Sequence, residues 1–112
     1  MSLDDSTLIE HILEQCRRIC RLTEKISFEE FQEEPIYQDA LTRELEIIGE
    51  AAGNLSAEFC DMYPQIPVSV MRGLRNILAH QYFAVDLKTV WTIAQNDVPS
   101  LLKTIEECNL KL

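Results

Sequence analysis

From residue 87 to residue 108 the apolar side chains Leu87, Val90, Trp91, Ala94, Val98, Leu101, Leu102, Ile105 and Cys108 recur at three- and four-residue steps. That spacing gathers them on one stripe of an α-helix about six turns long, whereas in a strand they would fall on both faces. The same rhythm occurs near the start, in Leu8, Ile9, Ile12, Leu13, Cys16, Ile19 and Cys20. Asp4, Asp5 and Ser6 offer capping oxygens there, so a first helix is expected to run to about residue 24. Ser27 followed by Glu30 reads as a capping box over a short turn. Pro35 fits the first turn of a second long helix, whose stripe is Tyr37, Leu41, Ile48, Ala52 and Leu55, with Ala40, Ile47 and Ala51 alongside. Ser56 starts a short segment ending at Pro64, Pro67 opens another helix that residues 83–85 close, and Asp86 caps the last one. Pro99 inside that last helix is expected to kink it.

Only three glycines and four prolines punctuate 112 residues, and no Asn-Gly or Asp-Gly pair marks a hairpin. The expectation is an all-α bundle of four to five helices in one domain covering residues 1–112. Hydrophobic content of 46% with 26% charged residues suits a packed core. The N-terminus lacks a basic segment followed by an apolar run, and no stretch approaches the roughly 18 apolar residues that span a bilayer. A cytoplasmic protein with no membrane contact is expected. Cys16, Cys20, Cys60 and Cys108 form no CxxC pair, so they read as free thiols, and neither a metal nor a cofactor is expected. Glu46 and Glu50 at i,i+4, with Arg43 near, read as a salt-bridged stripe, His11 as solvent-facing or structural, and Trp91 as core. Among the four cations at Arg17, Arg18, Arg21 and Lys25, the helix dipole is one explanation and the rim of an anion site another.

A formal charge of −9 argues against indiscriminate binding of nucleic acid, yet no carboxylate occurs from residue 62 to 85. Within that window, residues 74–83 read LRNILAHQYF. At about 100° per residue, Val70, Met71, Leu74, Ile77 and Leu78 share a face expected to be core. Arg72, Arg75, Asn76, Ala79, His80 and Phe83 occupy the other half. Arg75 and His80 lie about 140° apart, and Arg75 and Tyr82 within about 20°. Arginine binds phosphate through its planar fork, and histidine moves protons near neutrality. An ordinary solvated helix face is the plainer alternative, as is a half-buried ring for Tyr82. One helix that splays Arg75 and His80 apart makes a poor pocket, while two copies facing each other make a cleft. Gly73 and Ala79 would permit their close approach, so a two-fold homodimer is expected.

The stretch from Arg75 through His80 to Tyr82 resembles the Arg-x4-His-x-Tyr signature of HepT-like HEPN domains. The segments RELEIIGEAAGNLS (43–56), PQIPVSVMRGLRN (64–76) and AVDLKTVWTIAQNDVPSLL (84–102) are similar to that family as well. The resemblance implies a helical, dimeric toxin paired with a minimal nucleotidyltransferase antitoxin. It implies metal-independent RNA cleavage with Arg75, His80 and Asn76 as the catalytic residues, and Tyr82 adenylylated by the antitoxin. Arg72 is a further expected contact to the RNA substrate. A non-catalytic module whose cleft binds a nucleotide or the partner is the alternative.

Overall fold

The computed structural model describes residues 4–80 and 86–110, with the side chains of residues 76–80 outside that description. The described residues are helical with no strand. The elements are α1 (Asp5–Lys25), α2 (Phe28–Glu33), α3 (Pro35–Gly53), α4 (Ala57–Met62), α5 (Val68–His80), α6 (Leu87–Thr92), a π-helical turn (Ile93–Asp97) and α7 (Val98–Glu107). Four long units and two short ones therefore stand where the apolar spacing placed them.

Each start has a local cause. Asp4 accepts from the Thr7 N–H at 2.8 Å, and that bond holds its carboxyl below the usual range. Ser27 and Glu30 complete the capping box, each backbone N–H donating to the other's side chain at 3.1 Å. Pro35 occupies the first turn of α3. Asp86 accepts from the Lys88 and Thr89 backbone and, at 2.8 Å, from the Thr89 hydroxyl. Those bonds from Thr89 and Lys88 lower its pKa. The described part of the closing segment ends at residue 80; residues 83–85, expected to terminate α5, lie outside the described residues.

α3 is the central element, packing against α1 and α5. Leu41, Leu45, Ile48 and Ala52 on α3 are fully buried with Ile12, Cys16 and Ile19 of α1. Leu45 belongs to this stripe although the spacing argument passed over it. Asp5 clasps the far side of the core: its carboxylate accepts from the Ser56 N–H at 2.9 Å and the Ser56 hydroxyl at 2.6 Å. The start of α1 is thereby tied to the cap of α4.

Two expectations change. The last helix does not simply kink at Pro99. It opens into the π turn, in which the Val98 N–H reaches back to the Ile93 carbonyl, and α7 restarts with Pro99 in its first turn. A wider turn moves the preceding carbonyl away from a pyrrolidine ring that an α-turn would press against it. It also lets one apolar run serve two walls. Trp91 of α6 packs on Phe31 and Phe28 of α2, with ring centroids 5.3 and 6.0 Å apart, whereas α7 packs on α1. The second change concerns Val70, expected in the core and found 69% exposed. The inward side of α5 runs through Val68 and Met71, both buried, with Leu74 half-buried at its edge. Near Arg75 this side of α5 lies against a glycine of α3.

Candidate functional site

That glycine is Gly49. A Cβ built on it would stand 2.6 Å from the Arg75 backbone nitrogen and 3.0 Å from the Arg75 Cβ. Real Cβ atoms do not tolerate such distances to backbone, so α3 and α5 can meet here only through glycine. The root of Arg75 is wedged into α3, while its side chain is exposed. A long, flexible stem carries the charge outward from a packed base. Among the described residues no carboxylate lies within 4.0 Å of the Arg75 guanidinium; the ion pairs are Arg18–Glu14, Arg43–Glu46 and Lys103–Glu107.

Arg72, one turn earlier, is also exposed, but its Nε donates to the Ala52 carbonyl at 3.2 Å. Ala52 lies in the last turn of α3, where a cation is favoured, and its carbonyl also accepts from the Leu55 N–H at 3.3 Å. Arg72 therefore fastens α5 to the end of α3 and keeps the terminal nitrogens of its fork for another acceptor. Sequence reasoning missed both anchors. Their trace was the GEAAG stretch at 49–53, whose small residues announce a close helix approach without naming the partner.

The helix continues through His80, so the Arg75 and His80 positions are about 140° apart around its axis. The side chains of Asn76 and His80 lie outside the described residues, as does Tyr82 entirely. The structure thus brings Arg72 and Arg75 to one edge of α3. Gly73, between them, has among the described residues no atom within 4 Å of an added Cβ.

Elsewhere, the described residues contain no group of three or more His, Cys, Asp or Glu side chains able to hold a metal ion. Arg43 pairs with Glu46 at 3.6 Å, His11 is exposed, and Trp91 is buried. All four cysteines are free. Burial, followed by the charge of Cys20, pushes the Cys16 thiol up to about 12. No described helix is long and apolar enough to cross a membrane. Glu44 on α3 is half-buried, and burial raises its pKa while Arg18 and Arg21 of α1 pull it down. Its Oε2 is buried with no hydrogen-bond partner.

Comparison with known proteins adds an independent line. A family model described as "Ribonuclease HepT-like" matches residues 12–108. A protein of Methanocaldococcus jannaschii named as a candidate RNase is 39% identical over 104 residues, 93% of this chain and 86% of its own length. Another so named, from Caldanaerobacter subterraneus subsp. tengcongensis, is 37% identical over 99 residues, 88% of each chain. A protein of Thermococcus cleftensis named as a probable ribonuclease HepT is 38% identical over 99 residues, 88% of this chain and 90% of that one. No solved structure matches the chain.

Proposed function

Because the chain belongs to the HepT-like ribonuclease family, we propose that it is a metal-independent endoribonuclease toxin in which Arg75 and His80 cleave RNA at a homodimer interface. The observation that carries this reading is Arg75 itself. In an acid-rich chain it holds an exposed guanidinium with no carboxylate beside it among the described residues, on a base locked against Gly49. A cation so placed suits a phosphate better than a solvated surface.

RNA carries its own nucleophile. The ribose 2′-hydroxyl attacks the adjacent phosphorus, His80 accepts the hydroxyl proton, and the 5′-oxygen leaves with a proton supplied by an acid. Arg75 neutralises charge growing on the non-bridging oxygens. Asn76 orients the scissile group or His80, and the free end of the Arg72 fork holds a neighbouring phosphate. The products are a 2′,3′-cyclic phosphate and a 5′-hydroxyl. Positions about 140° apart on one helix favour a cleft completed by a second copy, and the open space at Gly73 leaves room for it. Adenylylation of Tyr82 by a minimal nucleotidyltransferase antitoxin would place bulk and negative charge two residues from His80 and close the site to RNA.

The deciding experiment is RNA cleavage by the purified protein with and without a chelator. Arg75→Ala and His80→Ala should each lower the rate by about 10²–10³, with unchanged thermal midpoints. Strict dependence on Mg²⁺ with 3′-hydroxyl and 5′-phosphate ends would overturn the mechanism. Incubation with the nucleotidyltransferase and ATP should add AMP masses to the wild type and none to Tyr82→Phe.

A further inference from the structure

Four of the ten Lys and Arg residues lie between positions 17 and 25 of α1, away from α5. The helix dipole accounts for Lys25, the one cation in the last turn, because its field fades within that turn. Ion pairing accounts for Arg18, which meets Glu14 at 2.9 Å. Neither accounts for Arg17 and Arg21. Both are exposed, and among the described residues neither has a carboxylate within 4.0 Å. They stand at i,i+4, about 6 Å apart along the axis, and Lys25 continues the same row. Like charges at this spacing weaken a helix. Glu44 near Arg21 offsets part of that repulsion, and an anion bound along the row would offset the rest.

We propose that Arg17 and Arg21, continued by Arg18 and Lys25, form a second RNA-backbone site that anchors the substrate away from the residues that cut it. The inference rests on the ribonuclease reading and deepens it. A strand held along α1 reaches Arg75 by crossing α3, which packs against both helices. Phosphate is favoured over an acidic protein partner because protein interfaces centre on apolar side chains. Among the described residues the exposed large apolar side chains are Ile36, Met62 and Val70, and none lies on α1. Beneath the row, Glu44 opposes it: the carboxylate is half-buried near Arg18 and Arg21, and one of its oxygens has no hydrogen-bond partner.

The test compares Arg17→Ala/Arg21→Ala with the wild type on a long single-stranded RNA and on a dinucleoside monophosphate. KM for the long RNA should rise about tenfold, and the slope of log affinity against log salt should fall by about 1.4, or ~0.7 for each lost phosphate contact. Turnover of the dinucleotide should not change, the lysine double variant should restore much of the affinity, and Glu44→Gln should tighten binding. An unchanged long-RNA KM and salt slope would overturn the proposal, as would equal losses on both substrates. So would polyglutamate binding that depends on the two arginines as strongly as RNA binding does. If the wild type cleaves nothing, arginine-dependent RNA binding measured by fluorescence anisotropy still supports the anchor, and only the cleavage reading falls.

Discussion

Gly49 is where a single missing carbon decides the position of the candidate site. Gly49→Ala gains helix propensity, worth up to about 1 kcal/mol, yet it drives a methyl into the Arg75 backbone 2.6 Å away. Overpacking of this kind typically costs about 1–3 kcal/mol, and no flexible side-chain end is present to yield. The expected outcome is a net fall in thermal midpoint together with weakened RNA cleavage, since Arg75 must shift. Gly53→Ala is the control: among the described residues nothing lies within 4 Å of its added carbon, so stability should hold or rise. Differential scanning calorimetry on the two variants checks the contrast. Cys16 makes a second residue-scale test. Its folded-state pKa is raised from 9.0 to about 12, so the folded protein keeps a proton that the unfolded chain releases. The thiol's contribution is fully present below about pH 9 and lost as pH climbs from there toward 12. Urea midpoints should decline over that window less steeply in Cys16→Val, and thiol reagents at pH 8 should leave native Cys16 unlabelled.

At the scale of elements, most of the fold was legible because it is written in local terms. Capping oxygens at Asp4, Ser27, Ser56 and Asp86, Pro35 in a first turn, and apolar steps of three and four marked the helices without reference to one another. What was not legible depends on two elements at once. Val70 was misplaced because apolar residues alone set the phase of α5, whereas the actual phase follows the groove that Gly49 opens in α3. The π turn was hidden because Val90, Trp91, Ala94, Val98, Leu101 and Ile105 all fall within about 100° on an uninterrupted α-helix. Arg75 was legible as a candidate by type and spacing; its packed root and the Arg72 bond to Ala52 were not. The Asp5–Ser56 clasp spans 51 positions and left no local sign. Asp5→Ala removes both of its bonds and should cost about 1.5–3 kcal/mol, as for hydrogen bonds to charged groups. Asp5→Asn keeps an acceptor and should lose less. Urea denaturation of the two variants measures the difference, and equal losses would show that charge at the start of α1, not the clasp, is what matters.

For the whole molecule, the open space beside Gly73 separates what one protomer needs from what an assembly needs. Among the described residues of one protomer, a Cβ added there has no atom within 4 Å. Under the composite-cleft proposal it meets the second copy. Gly73→Gln should therefore keep or raise the thermal midpoint, through a gain of up to about 1 kcal/mol in helix propensity, while shifting the sedimentation coefficient toward that of a monomer and lowering cleavage. Full activity in a monomeric variant would remove the composite cleft and leave the Arg75 chemistry to a single chain.

The π turn at Ile93–Asp97 has a consequence for how the molecule opens. There the backbone ladder changes its count from four residues to five and back, and Pro99 contributes no amide to it. α6 and α7 are therefore expected to exchange as two units, which amide hydrogen exchange resolved along residues 87–107 would check. Amide protons of α6, braced by the aromatic contacts of Trp91 with Phe28 and Phe31, would trade with solvent independently of those in α7, braced by α1. Fraying from the C-terminus would stop at this seam. The contacts of α6 with α2 and α3 would then outlast events at the chain's end.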